Sequence, residues 1–384
     1  MHVLQVTPRY FPNIGGVGIV VQKISEMLVT RGVKATVYTV DLSPTLPRLQ
    51  NVNGVVVKRF SPVLGDPFYV PELKFATSLR REQADILHVH NVHTLLPFIV
   101  ALCKRRTQKL LLQPHYHRFG QSALRYSLLR LYRYGLGNVF SPLIEAIIAN
   151  SAYENRIIRE DFPKFKKVFM IPEGMDVDEV KRVKHNPVKP KRILYVGALR
   201  RYKNVDKILE GFAHLIKAGD TQYRLVTVGE GTEYASLVNL AHNLGISSFV
   251  EWKSDLSREQ LLCEYEKASV FILLSPLESF SRVVYEALLI GVPVVALNFG
   301  ALSNLVEAGL AEGVNSLNPS EIADAIVNAT RKTYTKISDN SNAFLDWEEY
   351  SNRIMNVYCE LLEMQNSLDF EEDLREKVID RSFL

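Results

Sequence analysis

The chain has 384 residues, of which 47% are apolar and 23% charged, values typical of a folded globular protein. This length favours two domains with cores that need no disulfide. The three scattered cysteines (Cys103, Cys263 and Cys359) and the lack of a paired Cys/His spacing point to a reducing compartment without structural zinc. No secretory signal pattern occurs, and the longest apolar runs are shorter than a membrane span. We therefore expect a cytoplasmic protein.

The net charge of +4 is unevenly distributed, because residues 1–180 carry +9 and residues 181–384 carry −5. Eight basic residues and no acid lie within 104–133, among them Arg118, Arg125, Arg130 and Arg133, with leucines and tyrosines between them. This mixture is typical of a helix that lies on an anionic membrane surface, so we expect these four arginines to contact a membrane or an acceptor. The alternative is a solvated basic face. No nucleic-acid partner is expected, because no recognised binding module accompanies the charge.

Apolar strand-like runs alternate with amphipathic helical runs along the chain. The predicted strands of the first half are 2–7, 35–39, 55–60, 86–90, 109–113, 146–149 and 167–171, with helices such as 17–30 and 71–82 between them. Those of the second half are 192–196, 223–228, 249–252, 270–274 and 292–296, with helices such as 205–217, 233–244, 258–268 and 282–290. Continuously apolar strands that alternate with helices predict parallel sheets covered on both faces.

The polar stretch 176–191 separates two halves of Rossmann size. We therefore predict an α/β protein with two Rossmann-like doubly wound domains that face each other across a cleft. The predicted boundaries are 1–180 and 181–360, followed at 361–384 by a C-terminal helix that crosses back to the first domain. In such folds ligands bind outside the carboxyl ends of the strands, which is where the polar motifs occur.

Two carboxylates flank the start of a predicted helix at 282–290. Glu278 lies in the preceding loop with Ser279, Phe280 and Ser281, and Glu286 lies about one turn inside the helix. The unpaired N–H groups and the positive dipole end of a helix suit a diphosphate, and the two acids can then bind sugar and ribose hydroxyls. The alternative is that one acid is a loop residue and the other pairs on the helix surface.

The sequence ESFSRVVYEALLIGVPVVA, with seven residues between its two glutamates, resembles the signature of the retaining glycosyltransferases of the GT-B fold, family 4 (glycosyl transferases group 1). Other segments along nearly the whole chain are similar to further motifs of this family. They are GGVG at 15–18, IPEGMD at 171–176, YVGAL at 195–199 with KNVD at 203–206, and VGEG at 228–231. Each segment alone is weak, and their combination is specific.

The resemblance implies an acceptor domain at 1–180, a donor domain at 181–360, and transfer with retention from a UDP- or GDP-sugar without a metal ion or other cofactor. It implies that His115 lies against the donor sugar, that Lys203 neutralises the leaving diphosphate, and that Glu278 binds sugar hydroxyls. The implied donor contacts are Gly15, Gly16, Arg200, Ser279, Phe280, Ser281 and Glu286. The basic stretch favours a glycan or lipid-linked acceptor and peripheral attachment to the inner face of a membrane.

The chain departs from the family pattern at several positions. Ala198 replaces an arginine, Ser281 and Ala301 replace glycines, and Asn304 replaces an acid. Two alternative functions follow: another enzyme on the same fold, such as a sugar-nucleotide epimerase or a phosphorylase, and a degenerate transferase that serves as a binding or scaffold protein. The histidines at 88, 90 and 93 are interpreted as the end of a strand rather than as metal ligands.

Overall fold

A computed structural model describes residues 1–12, 15–40, 45–120, 123–133, 137–332 and 344–363, and for part of the segment 123–138 only the backbone. The chain divides into two compact units. The first comprises residues 1–174 together with the segment from 345 onward, and the second comprises residues 175–344.

The first unit is built on an eight-stranded sheet in the order β10-β9-β8-β7-β1-β2-β4-β3. All neighbouring strands are parallel except the edge pair β3 and β4, which is antiparallel. The strands are β1 (His2–Thr7), β2 (Lys34–Val40), β3 (Leu49–Val52), β4 (Val55–Phe60), β7 (Ile86–His90), β8 (Lys109–Gln113), β9 (Ala146–Ala149) and β10 (Val168–Met170). Short strands β5 (Pro62–Leu64) and β6 (Val70–Pro71) pair with each other, as do β11 (Gly174–Met175) and β18 (Leu345–Asp346).

Helices of the first unit cover this sheet. They are α1 (Gly16–Thr30), α2 (Leu73–Arg81), α3 (Leu96–Cys103), α4 (Ala123–Leu131), α5 (Gly137–Phe140), α6 (Ala152–Asp161) and, after the second unit, α14 (Trp347–Leu361). The apolar face of α14, with Tyr350, Ile354 and Tyr358, shares one core with Val20 and Ile24 of α1. The first unit therefore depends on residues that follow the second one.

The second unit has a six-stranded parallel sheet in the order β14-β13-β12-β15-β16-β17. Its strands are β12 (Lys191–Val196), β13 (Tyr223–Val228), β14 (Val250–Lys253), β15 (Val270–Leu273), β16 (Val294–Leu297) and β17 (Glu312–Val314). Its helices are α7 (Val177–Lys181), α8 (Val205–Lys217), α9 (Tyr234–Asn243), α10 (Arg258–Lys267), α11 (Arg282–Ile290), α12 (Ser303–Glu307) and α13 (Pro319–Arg331). Strands β15 and β16 are wholly apolar and buried, and β12 is apolar and buried from Ile193 onward, as strands covered on both faces must be.

The predicted α/β class and the two domains with parallel sheets are confirmed. The domain limits differ from the prediction, because the first unit ends at 174 rather than 180 and the chain returns to it at 345 rather than 361. The polar stretch interpreted as a linker contains α7, whose Val177 and Val180 are buried in the second core. The tail from 364 onward, which includes most of the predicted C-terminal helix, lies outside the described residues.

Within the described part of the chain, no helix combines the length and the hydropathy that a transmembrane segment requires.

Candidate functional site

The central strands of the second sheet form a topological switch point. β12 and β15 are neighbours, and the chain continues from β12 to one side of the sheet and from β15 to the other. Their carboxyl ends lead into two loops at the same edge of the sheet, the usual place for a ligand in a doubly wound fold. The first loop carries Lys203 and the second carries Glu278.

Lys203 and Glu278 are in direct contact. Nζ of Lys203 lies 2.5 Å from Oε1 of Glu278, and the two side chains are only 15% and 12% exposed. Burial disfavours the ammonium, but the adjacent carboxylate outweighs it and raises the pKa of Lys203. Asn204, in the left-handed region at φ 55°, donates from Nδ2 to the Leu274 carbonyl at 2.8 Å and so joins the two loops. The structure thus brings together two residues that are 75 positions apart.

The start of α11 is strained at the residue where the family pattern has glycine. Ser281 precedes the helix with φ 99°, a region that a side chain disfavours. Its Oγ is buried and has no hydrogen-bond partner among the described residues. The preceding Phe280 is buried and stacks on Tyr285 at 4.5 Å between ring centroids, which fixes the helix start, while Ser279 is half-buried.

Glu286, the second acid of the signature, pairs with Arg258, a residue that no sequence motif indicated. Nη1 of Arg258 lies 2.7 Å from its Oε1, and Nε of Arg258 lies 2.8 Å from Glu179. Glu286 is 8% exposed. A carboxylate this buried requires a cationic or hydrogen-bonding partner. A basic residue on a neighbouring predicted helix, such as Arg258, was the available signal in the sequence.

Two glycine-containing loops pack closely beside Lys203. A Cβ on Gly229 would lie 2.0 Å from the Gly197 carbonyl oxygen, and one on Gly231 would lie 2.1 Å from that of Leu199. The Leu199 N–H donates to the Glu230 carbonyl at 2.7 Å. Next to this contact is an open cavity of about 440 Å³ lined by Gly229, Glu230, Gly231, Tyr234, Trp252, Lys253 and Ser254. Arg200, the predicted replacement for the missing arginine, is exposed.

In the first unit, His115 follows β8 with φ 48°, another left-handed non-glycine residue. Its ring is 7% exposed, and Nδ1 lies 3.2 Å from Oε1 of Glu173 and 2.9 Å from Nδ2 of Asn150. Its Nε2 is buried without a hydrogen-bond partner among the described residues. His115 was predicted from the sequence as a site residue, whereas Glu173 was noted only as part of the IPEGMD turn.

A buried carboxylate holds the backbone on both sides of this histidine. Glu154 accepts from the Tyr116 N–H at 2.5 Å and from the Asn150 N–H at 2.7 Å, and burial raises its pKa to about 7. His88 and His90 on β7 are fully buried, with ring centroids 4.2 Å apart and the rings tilted by 32°. Burial lowers the pKa of His88 to about 3 and that of His90 well below its ordinary value, so both rings are neutral packing residues.

The glycine residues at the start of α1 are exposed to solvent. Gly15 and Gly16 are exposed, and Gly15 precedes the helix with nothing within 4 Å of a hypothetical Cβ. This leaves backbone N–H groups at the start of α1 within reach of a ligand, so the predicted donor contact there stays a prediction.

The four arginines of the basic stretch do not share one environment. Arg118 and Arg133 both pair with Asp161, with Nε to carboxylate distances of 2.9 and 3.0 Å. Arg130 is exposed on α4, and Arg125 lies on the same helix with its side chain outside the described atoms. Two of the four arginines therefore form ion pairs within the protein. The sequence pattern could not distinguish these structural arginines from arginines that contact a membrane or an acceptor.

The described residues contain no group of three histidine, cysteine or acidic side chains placed to hold a metal ion. The chain does contain one Asp-x-Asp pair, Asp176 and Asp178, so the expectation that no such pair is present to hold a diphosphate through a metal ion was wrong. Asp176 is at the N-cap position of α7, where its side chain makes no capping hydrogen bond, and Asp178 is exposed in the first turn.

Comparison with known proteins assigns families to both halves of the chain. Residues 14–179 match the model of Glycosyltransferase Family 4, and residues 176–341 match that of Glycosyl transferases group 1. Among curated relatives, N-acetyl-alpha-D-glucosaminyl L-malate synthase of Bacillus anthracis is 24% identical over 80% of this chain and 82% of its own length. D-inositol 3-phosphate glycosyltransferase of Nocardiopsis dassonvillei is 24% identical over 90% of both chains.

Solved structures share the fold. Sucrose-phosphate synthase from Thermosynechococcus elongatus superposes with a TM-score of 0.75 at 18% identity, covering 94% of this chain and 99% of its own. HepE from Anabaena, solved with UDP and glucose, has a TM-score of 0.67 at 18% identity, covering 92% and 97%. These likenesses confirm the predicted GT-B fold.

Proposed function

We propose that this chain, which belongs to the glycosyltransferases of the GT-B fold, transfers a sugar from a nucleoside-diphosphate donor to an acceptor hydroxyl with retention of configuration and without a metal ion. The observation that carries the proposal is the buried pair of Lys203 and Glu278 at the switch point of the second sheet. An ammonium and a carboxylate in contact beside a helix start offer complementary groups to a sugar diphosphate.

The leaving diphosphate gains negative charge as its bond to the sugar breaks. Lys203 is kept protonated and is only 15% exposed, so its charge acts in a poorly screened environment. The ammonium of Lys203 contacts Glu278 in this structure. When the donor binds, the ammonium has to break this contact and form one with the phosphate. Glu278 is then free to accept hydrogen bonds from sugar hydroxyls.

The nucleoside fits the cavity beyond β13 and β14. Tyr234 and Trp252 meet edge to face there, with centroids 5.7 Å apart, and offer an aromatic surface to a base. UDP and GDP are the proposed nucleotides. Glu286 is the proposed ribose ligand, and a ribose would have to share this carboxylate with Arg258.

A lipid-linked acceptor, or attachment to an anionic membrane, is the proposal for the basic segment of the first unit. Leu124 and Tyr126 of α4 are 51% and 40% exposed, and Phe119, whose ring stacks with that of Tyr126, is 43% exposed. Exposed Arg130 lies on the same helix. Apolar side chains and a cation on one exposed helix suit the interface of an anionic bilayer. The relatives named above act on small anionic or phosphorylated acceptors by their names, so a free anionic acceptor is the alternative.

The experiment is a thermal-shift panel of UDP, GDP and ADP with their sugars, because a ligand that binds the folded state raises its apparent stability. We expect a shift with one nucleotide in EDTA, followed by transfer to an acceptor mixture and a product with the donor's anomeric configuration by NMR. The absence of any shift with all the nucleotides would contradict the proposal. An inverted product would contradict retention alone, and release of a free sugar isomer would favour the epimerase alternative.

A further inference from the structure

The loops that follow β13 and β14 line a cavity of about 440 Å³. The two strands are parallel neighbours with Val228 beside Lys253, so both loops leave the sheet at the same edge. The Gly229 N–H donates to the Lys253 carbonyl at 2.9 Å and joins the loops at their base. The volume is typical of a small-molecule site, and every lining residue belongs to the second unit.

The backbone of Glu230 is held in place at this cavity. Its carbonyl accepts from the Leu199 N–H at 2.7 Å. A Cβ on the next residue, Gly231, would lie 2.1 Å from the Leu199 carbonyl oxygen, so the two loops are already in close contact there. Glu230 itself is exposed and lines the cavity. Its side chain therefore extends from a fixed point of the lining.

The carboxylate of Glu230 is available to a ligand. Within the residues that the structure describes, it makes no hydrogen bond or ion pair. Lys253, the cation of the lining, is engaged elsewhere, because its Nζ lies 2.8 Å from Glu264 and 3.6 Å from Glu251. A carboxylate only accepts hydrogen bonds, so the cavity offers a charged acceptor whose lone pairs are unused.

The aromatic part of the lining suits any nucleobase. Tyr234 is 48% exposed at the start of α9, and its ring meets that of Trp252 edge to face, with 5.7 Å between the centroids. An edge-to-face pair leaves ring surface open to a third planar group. Stacking on an aromatic ring discriminates little between bases, because every base has a π face. Discrimination therefore falls to the polar groups of the cavity.

The polar groups match guanine. The N1–H and the 2-amino group of guanine point in the same direction and fit the two oxygens of the Glu230 carboxylate. The N3–H of uracil lies between two carbonyl oxygens, which a carboxylate repels, and adenine has an acceptor nitrogen beside its amino group. Ser254 is exposed and also lines the cavity, and its hydroxyl can donate to O6 of guanine.

We propose that the sugar donor carries GDP and that Glu230 selects the guanine base, an inference that rests on the function proposed above. The carboxylate accepts from the N1–H and from the 2-amino group. Hydrogen bonds to a charged acceptor contribute more than neutral ones, and a base without these donors leaves the carboxylate unpaired. A contact of Glu230 with ribose hydroxyls is the alternative, and it would favour no base over another.

The first experiment is calorimetry of the full-length protein with GDP, UDP, ADP and inosine diphosphate. The base of inosine diphosphate is guanine without its 2-amino group. We expect GDP to bind about 10-fold or more tightly than UDP and about 10-fold more tightly than inosine diphosphate, as the loss of one charge-assisted hydrogen bond predicts. Tighter binding of UDP or ADP, or equal binding of GDP and inosine diphosphate, would overturn the proposal.

The second experiment repeats these titrations with Glu230→Ala. The residue is exposed, so we expect the unfolding temperature without nucleotide to stay within about 2 °C of the wild-type value. The preference for GDP over inosine diphosphate should shrink to less than about threefold, with UDP binding unchanged or tighter. An undiminished preference would show that another group recognises the 2-amino group. An equal loss for GDP and UDP would assign the carboxylate to the ribose, and either result contradicts base selection.

The matched control is Glu233→Ala, which removes the same charge three residues along the chain. Glu233 is at the N-cap position of α9, its Oε2 lies 3.4 Å from the hydroxyl of Ser236, and it is not part of the lining. We expect its nucleotide preference to equal that of the wild-type protein, and the same change in both variants would reveal a general charge effect and contradict the proposal.

The outcomes separate this inference from the proposed function. If the wild-type protein bound no nucleotide, the proposed function itself would fail. Transfer from a UDP-sugar, with GDP bound weakly, would support the proposed function and overturn only the assignment of guanine to Glu230.

Discussion

Arg258 contacts Glu286 at 2.7 Å, so the second acid of the paired-glutamate signature has an internal cation before any ligand arrives. The same guanidinium reaches Glu179 on α7 and thereby ties the first helix of the second unit to α10 and α11. Glu286 thus combines a structural contact with its proposed role at the ribose. The strength of that contact can be measured separately from activity.

Arg258→Met should lower the free energy of unfolding of the second unit by roughly 1–2 kcal/mol, because it leaves Glu286 buried without its cation while Arg258 itself is a third exposed. Fluorescence of Trp252 in a Trp347→Phe background reports this unit alone. The double variant Arg258→Met/Glu286→Gln should lose less than the sum of the two single changes. Strict additivity would show that the pair is not coupled.

Lys203→Met and Glu278→Gln should distinguish binding of the diphosphate of the donor from binding of its sugar. Lys203→Met removes the charge opposite the diphosphate, so we expect weaker UDP or GDP binding and a loss of about 100- to 1,000-fold in kcat. Glu278→Gln releases Lys203, so nucleoside diphosphate binding should be unchanged or tighter while binding of the nucleotide-sugar weakens. Calorimetry with each ligand makes the comparison, and full activity in both variants would refute the site.

Acid should destabilise the first unit through its buried histidines. The pKa of His88 is about 3 in the folded protein and near 6.5 when unfolded, so its stabilising contribution is present above pH 6.5 and is lost as the pH falls. Glu154 acts in the opposite direction, since a raised carboxyl pKa stabilises the fold as the pH falls below 7. When the pH is lowered from 7.5 to 5.5, the free energy of unfolding should fall by about 1.4 kcal/mol less in His88→Gln than in the wild-type protein. Denaturant unfolding followed by Trp347 fluorescence provides the test, and parallel pH curves would exclude this role.

Gly229→Ala should disrupt the close approach of the loops that follow β12 and β13. Its Cβ would meet a backbone oxygen at 2.0 Å, and its φ of 144° adds strain. Gly219→Ala is the control, because that residue also has a positive φ, 97°, but has open space around its Cβ. We expect the free energy of unfolding to fall by about 1 kcal/mol in the control and by at least twice that in Gly229→Ala. Nucleotide binding should be impaired only in Gly229→Ala. Equal costs in thermal unfolding would show that the contact is not tight.

Binding to anionic vesicles should depend on the exposed residues of α4. We expect Leu124→Asp/Tyr126→Asp to abolish sedimentation with phosphatidylglycerol vesicles and Arg130→Glu to weaken it about fivefold or more, since each basic residue near such a surface contributes about 1 kcal/mol. Leu49→Asp, at a residue 64% exposed on β3, is the control and should bind normally. Equal binding of all the variants, or none by the wild-type protein, would contradict the membrane proposal.

The sequence predicted the central strands well, because a parallel strand buried on both faces is a continuous apolar run, as in β15 and β16. It also predicted the edge strands β10 and β14, but it did not show the edge strands β3 and β17. β3 alternates exposed and half-exposed residues and pairs antiparallel at the rim, so its sequence lacks the apolar signal. The domain limit near 180 was misplaced for a related reason, because the polar residues around α7 hide two buried valines.

The candidate site was predictable where a motif names its residues and not where the partner is distant. Glu278 and Lys203 were identified from loops at strand ends, and their contact confirms that these loops meet. Arg258 and Asn150 belong to no recognised motif, and only the three-dimensional packing reveals what they hold. Ser281 was noted as a departure from glycine, but its positive φ and its unpartnered hydroxyl required coordinates.

The placement of α14 has a consequence for biosynthesis. Once the first 174 residues have been synthesised, every strand of the large sheet is present. Helix α14, which covers part of the hydrophobic surface of this unit, is synthesised more than 170 residues later. The contiguous second unit can therefore complete its folding earlier than the unit that precedes it. A nascent chain stopped at residue 344 would expose unfinished core to chaperones, and a fragment cut at residue 174 would not fold on its own.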